Sequence, residues 1–238
     1  MSSLQIKQNC RWQTYVTSAE LEKRAVQTIL HSAQQSIRQR GIFYIVLAGG
    51  TTPRRIYEAL RVADADWTNW QVYFGDERCL PPAHAERNSL MAAQAWLDHV
   101  PIPRGQIHAI PAENGAEKAA ASYTQAVQNI ELFDLVLLGL GEDGHTASLF
   151  PEHDWGTTRH SAGAIAVHDA PKPPPDRVSL SAHRLSAARE VMFLVTGESK
   201  RQAVEKWRNG INIPATAITP ANGVEIYIEA GLLPPGGG

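Results

Sequence analysis

The chain has 238 residues, of which 43% are hydrophobic and 19% are charged, and its formal net charge is -2. This balance excludes the basic stripe that is typical of nucleic-acid-binding proteins. There is no run of about 18 apolar residues, so no membrane-spanning helix is expected. The polar start of the chain does not have the form of a signal peptide, and Cys10 and Cys79 make no CxxC pair. We therefore expect a soluble, cytoplasmic, globular protein with free thiols and with no nucleic-acid or membrane partner.

Strand-like and helix-like segments alternate along the first part of the chain. A short alternating strand at residues 12–16 precedes Thr17 and Glu20, a capping pair that predicts the start of a helix. Apolar residues recur every four positions as far as Ile37, and Gly41 predicts the end of this helix. The next predicted elements are a strand at 42–47, a helix at 54–63, a strand at 71–74 and a helix at 88–99.

The alternation continues to the end of the chain, with helices at 116–130 and 199–208 and strands at 133–138, 177–180, 191–195 and 225–229. This order predicts an α/β fold with a mostly parallel sheet and helices on both faces. The proline-rich residues 171–175 are interpreted as a rigid loop, because strands and helices continue after them. We expect a single domain at residues 1–231, and a disordered Pro/Gly-rich tail at 232–238.

Glycine-rich or charged turns follow three of the predicted strands. Ligands bind at the carboxyl ends of strands in open parallel sheets, so these turns are expected to meet in one crevice. In Gly49-Gly50-Thr51-Thr52-Pro53, the glycines and the helix-start N–H groups suit an anion, although an ordinary tight turn has the same features. Asp76-Glu77-Arg78 is either a solvated charge cluster or part of a site, and its place after a buried strand favours a site.

The third turn, residues 139–151, contains a G-x-G-x-x-G pattern of the kind found in dinucleotide-binding sites. Glu142 and Asp143 argue against that use, since they would oppose a pyrophosphate, and no acidic residue caps a strand about 20 residues later. Asp143 and His145 instead suit acid–base catalysis, in which a carboxylate orients a histidine base. A structural histidine at a helix start is the alternative. A serine nucleophile at Ser148 is not expected, because no G-x-S-x-G motif surrounds it.

Two further cations, Arg177 and Lys200, lie near the ends of predicted elements. Each is either an ordinary surface charge or part of a phosphate clamp. His153, His160 and His168 are scattered through a loop region, and we expect no metal site there because ligands need a tighter geometry.

Taken together, these segments resemble the 6-phosphogluconolactonase family, which shares a fold superfamily with the glucosamine-6-phosphate deaminases. The resemblance spans nearly the whole chain, and its most specific string is D-G-H-T-A-S-L-F-P. One departure is Arg87, where the family often has serine. The matching segments are residues 47–53, 75–78 with Pro81 and Asn88, 139–151, 177–180 and 197–200.

The resemblance implies a Rossmann-like fold and hydrolysis of 6-phospho-D-glucono-1,5-lactone to 6-phosphogluconate, in the oxidative pentose phosphate pathway and with no cofactor or metal. It implies that His145 activates water and that Asp143 supports His145. We expect backbone N–H groups near Gly50 or Gly141 to steady the oxyanion, and a monomer or weak homo-oligomer. The residues expected to hold the phosphate or other substrate oxygens are Gly49, Gly50, Thr51, Asp76, Arg78, Arg177 and Lys200.

Two rival functions remain at this point. The deaminases usually carry D-E-Y in place of Asp76-Glu77-Arg78, and an N-E-P-like segment in place of Leu149-Phe150-Pro151. Both differences favour the lactonase. A non-catalytic sugar-phosphate sensor could lose the base, so the presence of both Asp143 and His145 argues against it.

Overall fold

The computed structural model describes residues 8–233, which contain ten strands and six α-helices. The strands are β1 (Cys10–Tyr15), β2 (Phe43–Leu47), β3 (Trp70–Phe74), β4 (Asp76–Arg78), β5 (Ile107–His108), β6 (Phe133–Gly139), β7 (Ala164–Val167), β8 (Arg177–Leu180), β9 (Ala188–Val195) and β10 (Val224–Glu229). The helices are α1 (Ser18–Arg40), α2 (Thr51–Leu60), α3 (Asn88–Ala92), α4 (Ala116–Val127), α5 (Ala182–Ser186) and α6 (Arg201–Arg208). A π-helical turn, Ala93–Leu97, continues α3.

The main sheet has seven strands in the order β1-β10-β9-β6-β2-β3-β5, and every neighbouring pair is parallel. Consecutive residues of β2, β3 and β6 are buried. Since successive side chains of a strand point to opposite faces, this burial means that both faces are covered. The prediction of an α/β fold with a mostly parallel sheet is confirmed. Among the described residues, no helix is both long enough and apolar enough to cross a membrane.

The first helix, α1, begins and ends at the predicted residues. The hydroxyl of Thr17 accepts the N–H of Glu20 at 3.2 Å. At the other end Gly41 adopts a left-handed conformation (φ 75°) and donates its N–H to the carbonyl of Ile37, a position that favours glycine. The apolar stripe faces the core, and each buried leucine or isoleucine contributes about 1.5–3 kcal/mol. The buried members of this stripe are Leu21, Ala25, Ile29 and Ala33.

A second, antiparallel sheet of three strands, β4-β8-β7, was not predicted from the sequence. Residues 177–180 do form a strand, but it belongs to this sheet and not to the main one. Residues 76–78, expected as a turn, form β4, which pairs Asp76 with Ser179 and Arg78 with Arg177. Three polar residues are too few to show an alternating pattern, so nothing in the local sequence marks β4 as a strand.

Several predicted boundaries differ from the structure by a few residues, and two of them are of interest here. Helix α2 begins at Thr51 and not at residue 54, because a proline in the first turn of a helix, here Pro53, removes no needed hydrogen bond. The tail was expected to begin at residue 232, but Leu232 ends a 3₁₀ turn and is 3% exposed. Residues 234–238 of that tail lie outside the described part of the chain.

Candidate active site

A cavity of about 320 Å³ opens at the carboxyl ends of β2, β3 and β6. The turns that follow these three strands all contribute to its wall, as the topology of a parallel sheet requires. The predicted site residues that line it are Gly49, Gly50, Asp76, Arg78, His145, Arg177 and Lys200. Two others do not: Thr51 is exposed at the start of α2, and Asp143 lies beside His145 outside the wall.

His145 and Asp143 form a closely hydrogen-bonded pair. Nδ1 of His145 lies 2.6 Å from Oδ1 of Asp143, and the backbone N–H of His145 donates to the same oxygen at 3.0 Å. The imidazole packs against Phe150, with ring centroids 4.7 Å apart. Because Nδ1 faces the carboxylate, Nε2 is the ring nitrogen left for a ligand in the cavity.

The carboxyl group of Asp143 is held in its ionised form. Its partial burial acts to raise the pKa, but hydrogen bonds from the ring and the backbone N–H of His145 outweigh that effect. The pKa of Asp143 consequently lies well below its usual range. An ionised carboxylate beside Nδ1 favours the tautomer of neutral His145 that carries its proton on that nitrogen.

The turn that carries His145 is fixed by its own backbone. Gly141 donates its N–H to the carbonyl of His145 at 2.7 Å, and Gly144 donates to the carbonyl of Gly141 at 3.1 Å. Gly144 has a φ of 96°, which favours glycine. Since the N–H of Gly141 is already bound, it does not fit the expected role of oxyanion donor. Ala147, a cavity residue, has a φ of 48°, so this turn also holds a strained backbone conformation.

Asp76 connects two other segments of the site through hydrogen bonds of its side chain. Its carboxylate accepts a hydrogen bond from the hydroxyl of Ser148 at 2.6 Å and another from the side-chain amide of Asn88 at 3.1 Å. The hydroxyl of Ser148 is therefore directed at Asp76 and not at His145, which agrees with the expectation that Ser148 is no nucleophile. Asp76 was predicted to contact substrate; it does line the cavity, but it is 6% exposed and these two partners occupy both of its oxygens.

Glu77 supports the site from within the core. It is fully buried and accepts the backbone N–H groups of Asn88 and Ser89, at the start of α3. Arg87 lies beside it, with Nε 3.1 Å from Oε2 of Glu77 and Nη1 3.1 Å from a carboxylate oxygen of Glu113. The position that departs from the family resemblance thus holds a buried ion pair that anchors β4.

Four cations line the cavity: Arg78, Lys172, Arg177 and Lys200. Lys172 was missed in the sequence because it lies inside a proline-rich loop that was interpreted only as rigid. Arg177 was expected to hold substrate, yet its Nε and Nη2 donate to backbone carbonyls of that loop. Burial lowers the pKa of Lys200; nearby Glu142 and Asp143 oppose this shift, and the charge of Lys172 adds to it.

The cavity therefore combines one histidine with four positively charged side chains. Within residues 8–233, no three His, Cys, Asp or Glu side chains cluster in a way that could hold a metal ion. Such an arrangement suits proton transfer on a small anionic substrate.

Comparison with known proteins supports this description. The family model for glucosamine-6-phosphate isomerases and 6-phosphogluconolactonases matches residues 16–227. A 6-phosphogluconolactonase of Nostoc sp. is 37% identical over 190 residues, which cover 76% of this chain and 78% of that protein. One of Streptomyces coelicolor is 41% identical over 183 residues, which cover 69% and 70%. The solved 6-phosphogluconolactonase of Trypanosoma cruzi is 25% identical, with a TM-score of 0.83 over 95% of this chain and 97% of that chain. The chain therefore belongs to the glucosamine-6-phosphate isomerase/6-phosphogluconolactonase family.

Proposed function

We propose that this protein hydrolyses 6-phospho-D-glucono-1,5-lactone to 6-phospho-D-gluconate. The observation that carries the proposal is the His145–Asp143 pair, which faces a cavity lined by four cations. The relatives from Nostoc sp. and Streptomyces coelicolor bear the name of this activity. The same reaction assigns the protein to the oxidative pentose phosphate pathway.

In the proposed mechanism, Nε2 of His145 takes a proton from water as the water oxygen attacks the lactone carbonyl carbon. A tetrahedral oxyanion forms, the bond from this carbon to the ring oxygen breaks, and the imidazolium returns its proton to that oxygen. Asp143 stabilises the imidazolium between the two steps. A lactone is an activated ester, so a general base, which contributes about 10²- to 10⁴-fold, and good positioning supply much of what is needed.

The phosphate end of the substrate is assigned to the cationic side of the cavity. A phosphate group carries up to two negative charges, and ammonium and guanidinium groups are its usual partners. Gly50 lines the cavity at the start of α2, where a glycine lets the backbone approach an oxygen of the substrate, whereas the space beside Gly49 is filled by the side chain of Asn88. We assign the oxyanion contact to the N–H of Gly50, because the N–H of Gly141 already donates to the carbonyl of His145.

The deaminase reaction is the second candidate, because the matched family contains both activities. Arg78 and Phe150 stand where the resemblance places the tyrosine and the ring-opening glutamate of the deaminases. Without that glutamate, this chain lacks the group that opens an amino-sugar ring, so the lactonase reaction is favoured.

One coupled assay tests the proposal. Fresh 6-phosphogluconolactone is supplied to the wild type and to His145→Ala, and formation of 6-phosphogluconate is compared with the spontaneous rate. We expect strong acceleration by the wild type and a loss of about 10²- to 10⁴-fold in kcat for the variant. Near-normal kcat in a well-folded His145→Ala would rule out the mechanism. Release of ammonia from glucosamine 6-phosphate would favour the deaminase reaction, and tight binding without turnover would favour a sensor.

A further inference from the structure

The loop between β7 and β8, residues 168–176, forms a hairpin whose tip reaches the cavity. Its neck is closed by a contact of 2.7 Å between Nδ1 of His168 and Oδ1 of Asp176, and by a backbone hydrogen bond from Ala170 to Pro175. At the tip, Lys172 and Pro173 line the cavity wall. The hairpin therefore places Lys172, which belongs to the second half of the chain, beside the three turns of the main sheet.

The backbone of this tip has few hydrogen-bond donors of its own. Residues 171–175 read Pro-Lys-Pro-Pro-Pro, so only Lys172 has a backbone N–H. Carbonyl groups in such a loop need donors from elsewhere. Arg177 supplies them: Nη2 donates to the carbonyls of Lys172 at 2.9 Å and Pro173 at 3.2 Å, and Nε donates to that of Pro174 at 3.1 Å.

Arg177 is well held in this position. It is 5% exposed, and its guanidinium lies over the ring of Phe150, 5.4 Å from the centroid. The planar guanidinium group binds three consecutive backbone carbonyls and so fixes the path of the backbone between them. The residue before a proline also has a restricted conformation, which limits where the Lys172 side chain can start. The position of the Lys172 backbone is thus set by Arg177 and by the prolines, and its exposed side chain extends from that point to the cavity wall.

Lys172 and Lys200 line the same cavity from different parts of the chain. No salt bridge among the described residues involves a lysine, although the carboxylates of Glu142 and Asp143 lie near enough to Lys200 to influence it. The charge of Lys172 contributes to the lowered pKa of Lys200, behind the larger effect of burial. Because the two ammonium groups repel each other, an anion that carries two negative charges is well suited to bind between them.

We propose that Lys172 binds the phosphate group of the substrate together with Lys200, and that Arg177 is a positioning residue that holds the Lys172 hairpin in place. This inference rests on the proposed function and identifies which cations recognise the phosphate. It reassigns Arg177 from a direct ligand to the support of one.

The test compares a phosphorylated and an unphosphorylated lactone, 6-phosphogluconolactone and glucono-1,5-lactone. For Lys172→Ala we expect KM for the phosphorylated lactone to rise about tenfold or more, as loss of a charge-assisted contact predicts. The loss in kcat/KM for glucono-1,5-lactone should be much smaller, since that substrate has no phosphate. Lys206→Ala, the same change on an exposed lysine of α6, is the matched control and should leave both values unchanged.

The role of Arg177 is separated from direct contact by a double-mutant cycle. Arg177→Lys keeps the charge but loses the planar fork, and it should raise KM for the phosphorylated lactone with little change in kcat. Combined with Lys172→Ala, it should add little, because both changes remove the same contact. If the two effects multiply, Arg177 touches the phosphate itself and the positioning role is wrong. Equal losses on both lactones, or no loss for Lys172→Ala, would overturn the role of Lys172.

A binding measurement keeps this inference separate from the proposed function. Calorimetry gives Kd for 6-phosphogluconate and for gluconate with the wild type and Lys172→Ala. A wild type that does not accelerate lactone hydrolysis contradicts the proposed function alone. A variant that binds 6-phosphogluconate as well as the wild type does contradicts the phosphate role of Lys172, whatever the wild-type activity is.

Discussion

The imidazole of His145 occupies the space that a side chain on Gly141 would need. A β-carbon built on Gly141 would lie 2.0 Å from Nδ1 of His145, closer than any real contact. The second glycine of the G-x-G-x-x-G pattern is therefore required by the close approach of the imidazole ring. A pyrophosphate is not needed to explain it.

This contact predicts the effect of Gly141→Ala. The methyl group would displace the ring and separate Nδ1 from Asp143, and kcat for the phosphorylated lactone should fall by about 10²- to 10⁴-fold. Gly139→Ala is the control, because a β-carbon there meets nothing within 4 Å. Steady-state kinetics with a melting curve for each variant would check this. Equal activity of the two variants would show that the ring is not held by Gly141.

Asp143→Asn should impair catalysis while leaving the shape of the turn nearly intact. An amide can present N–H to Nδ1 and favour the wrong tautomer, and it cannot stabilise imidazolium, so we expect kcat to fall by about 10²- to 10⁴-fold. KM should change little, since Asp143 does not line the cavity. A rise in KM at unchanged kcat would instead indicate a substrate-binding role.

The same residue gives a pH dependence of stability. Because the folded pKa of Asp143 lies below its usual value of about 3.9, its stabilising effect is full above that value and is lost as pH falls through the folded pKa. The wild type should melt above Asp143→Asn at pH 7, and the difference should shrink below about pH 4. Thermal melting of both proteins between pH 3 and 7 measures it, and a difference that grows on acidification would contradict the assignment.

Arg87→Ala should destabilise the fold strongly. It leaves the fully buried Glu77 without its cation, and removing one partner of a buried ion pair costs about 3–5 kcal/mol. The control is Arg104→Ala, whose pair with Asp98 is exposed and should contribute about 0–1 kcal/mol. Urea unfolding gives both free energies. Similar values for the two variants would mean that Glu77 is satisfied by its N–H donors alone.

His168 should stabilise the hairpin neck mainly at low pH. Hydrogen bonds to Glu117 and then to Asp176 raise its pKa, and Nε2 of His153 also approaches its carbonyl oxygen. With the folded pKa raised, the stabilisation is full below about 6.5 and is lost as pH rises through the folded pKa. His168→Ala should lower Tm more at pH 6 than at pH 9. His31→Ala, an exposed histidine of α1, should show no such difference, and an equal shift for His168→Ala at both values would refute the claim.

The sequence patterns predicted those parts of the fold that depend on local chemistry. Thr17 and Gly41 mark the ends of α1, and the apolar runs mark the buried strands, because capping and burial act on adjacent residues. The meeting of the glycine-rich turns also followed from the sequence, since parallel topology brings the carboxyl ends of strands to one edge.

Contacts between distant segments could not be predicted in this way. The pairing of β4 with β8 joins residues about 100 positions apart, and no local pattern encodes it. The carbonyl partners of Arg177 could not be predicted either, because they depend on the path that the proline-rich loop takes in the folded protein. Nothing in the sequence indicated that Glu77 and Arg87 form a buried ion pair.

Arg78 and Arg177 lie directly opposite each other in the small sheet, so two positive charges face one another in the ligand-free protein. Like charges at opposed positions destabilise a sheet. An anion bound in the cavity that both residues line reduces this repulsion, binds the folded state alone and adds about 2.7 kcal/mol of stability when its concentration is a hundred times Kd. The proposed sugar-phosphate ligands should therefore couple the free energy of folding to their own concentration, and the protein should resist proteolysis best when the proposed substrate or product is abundant.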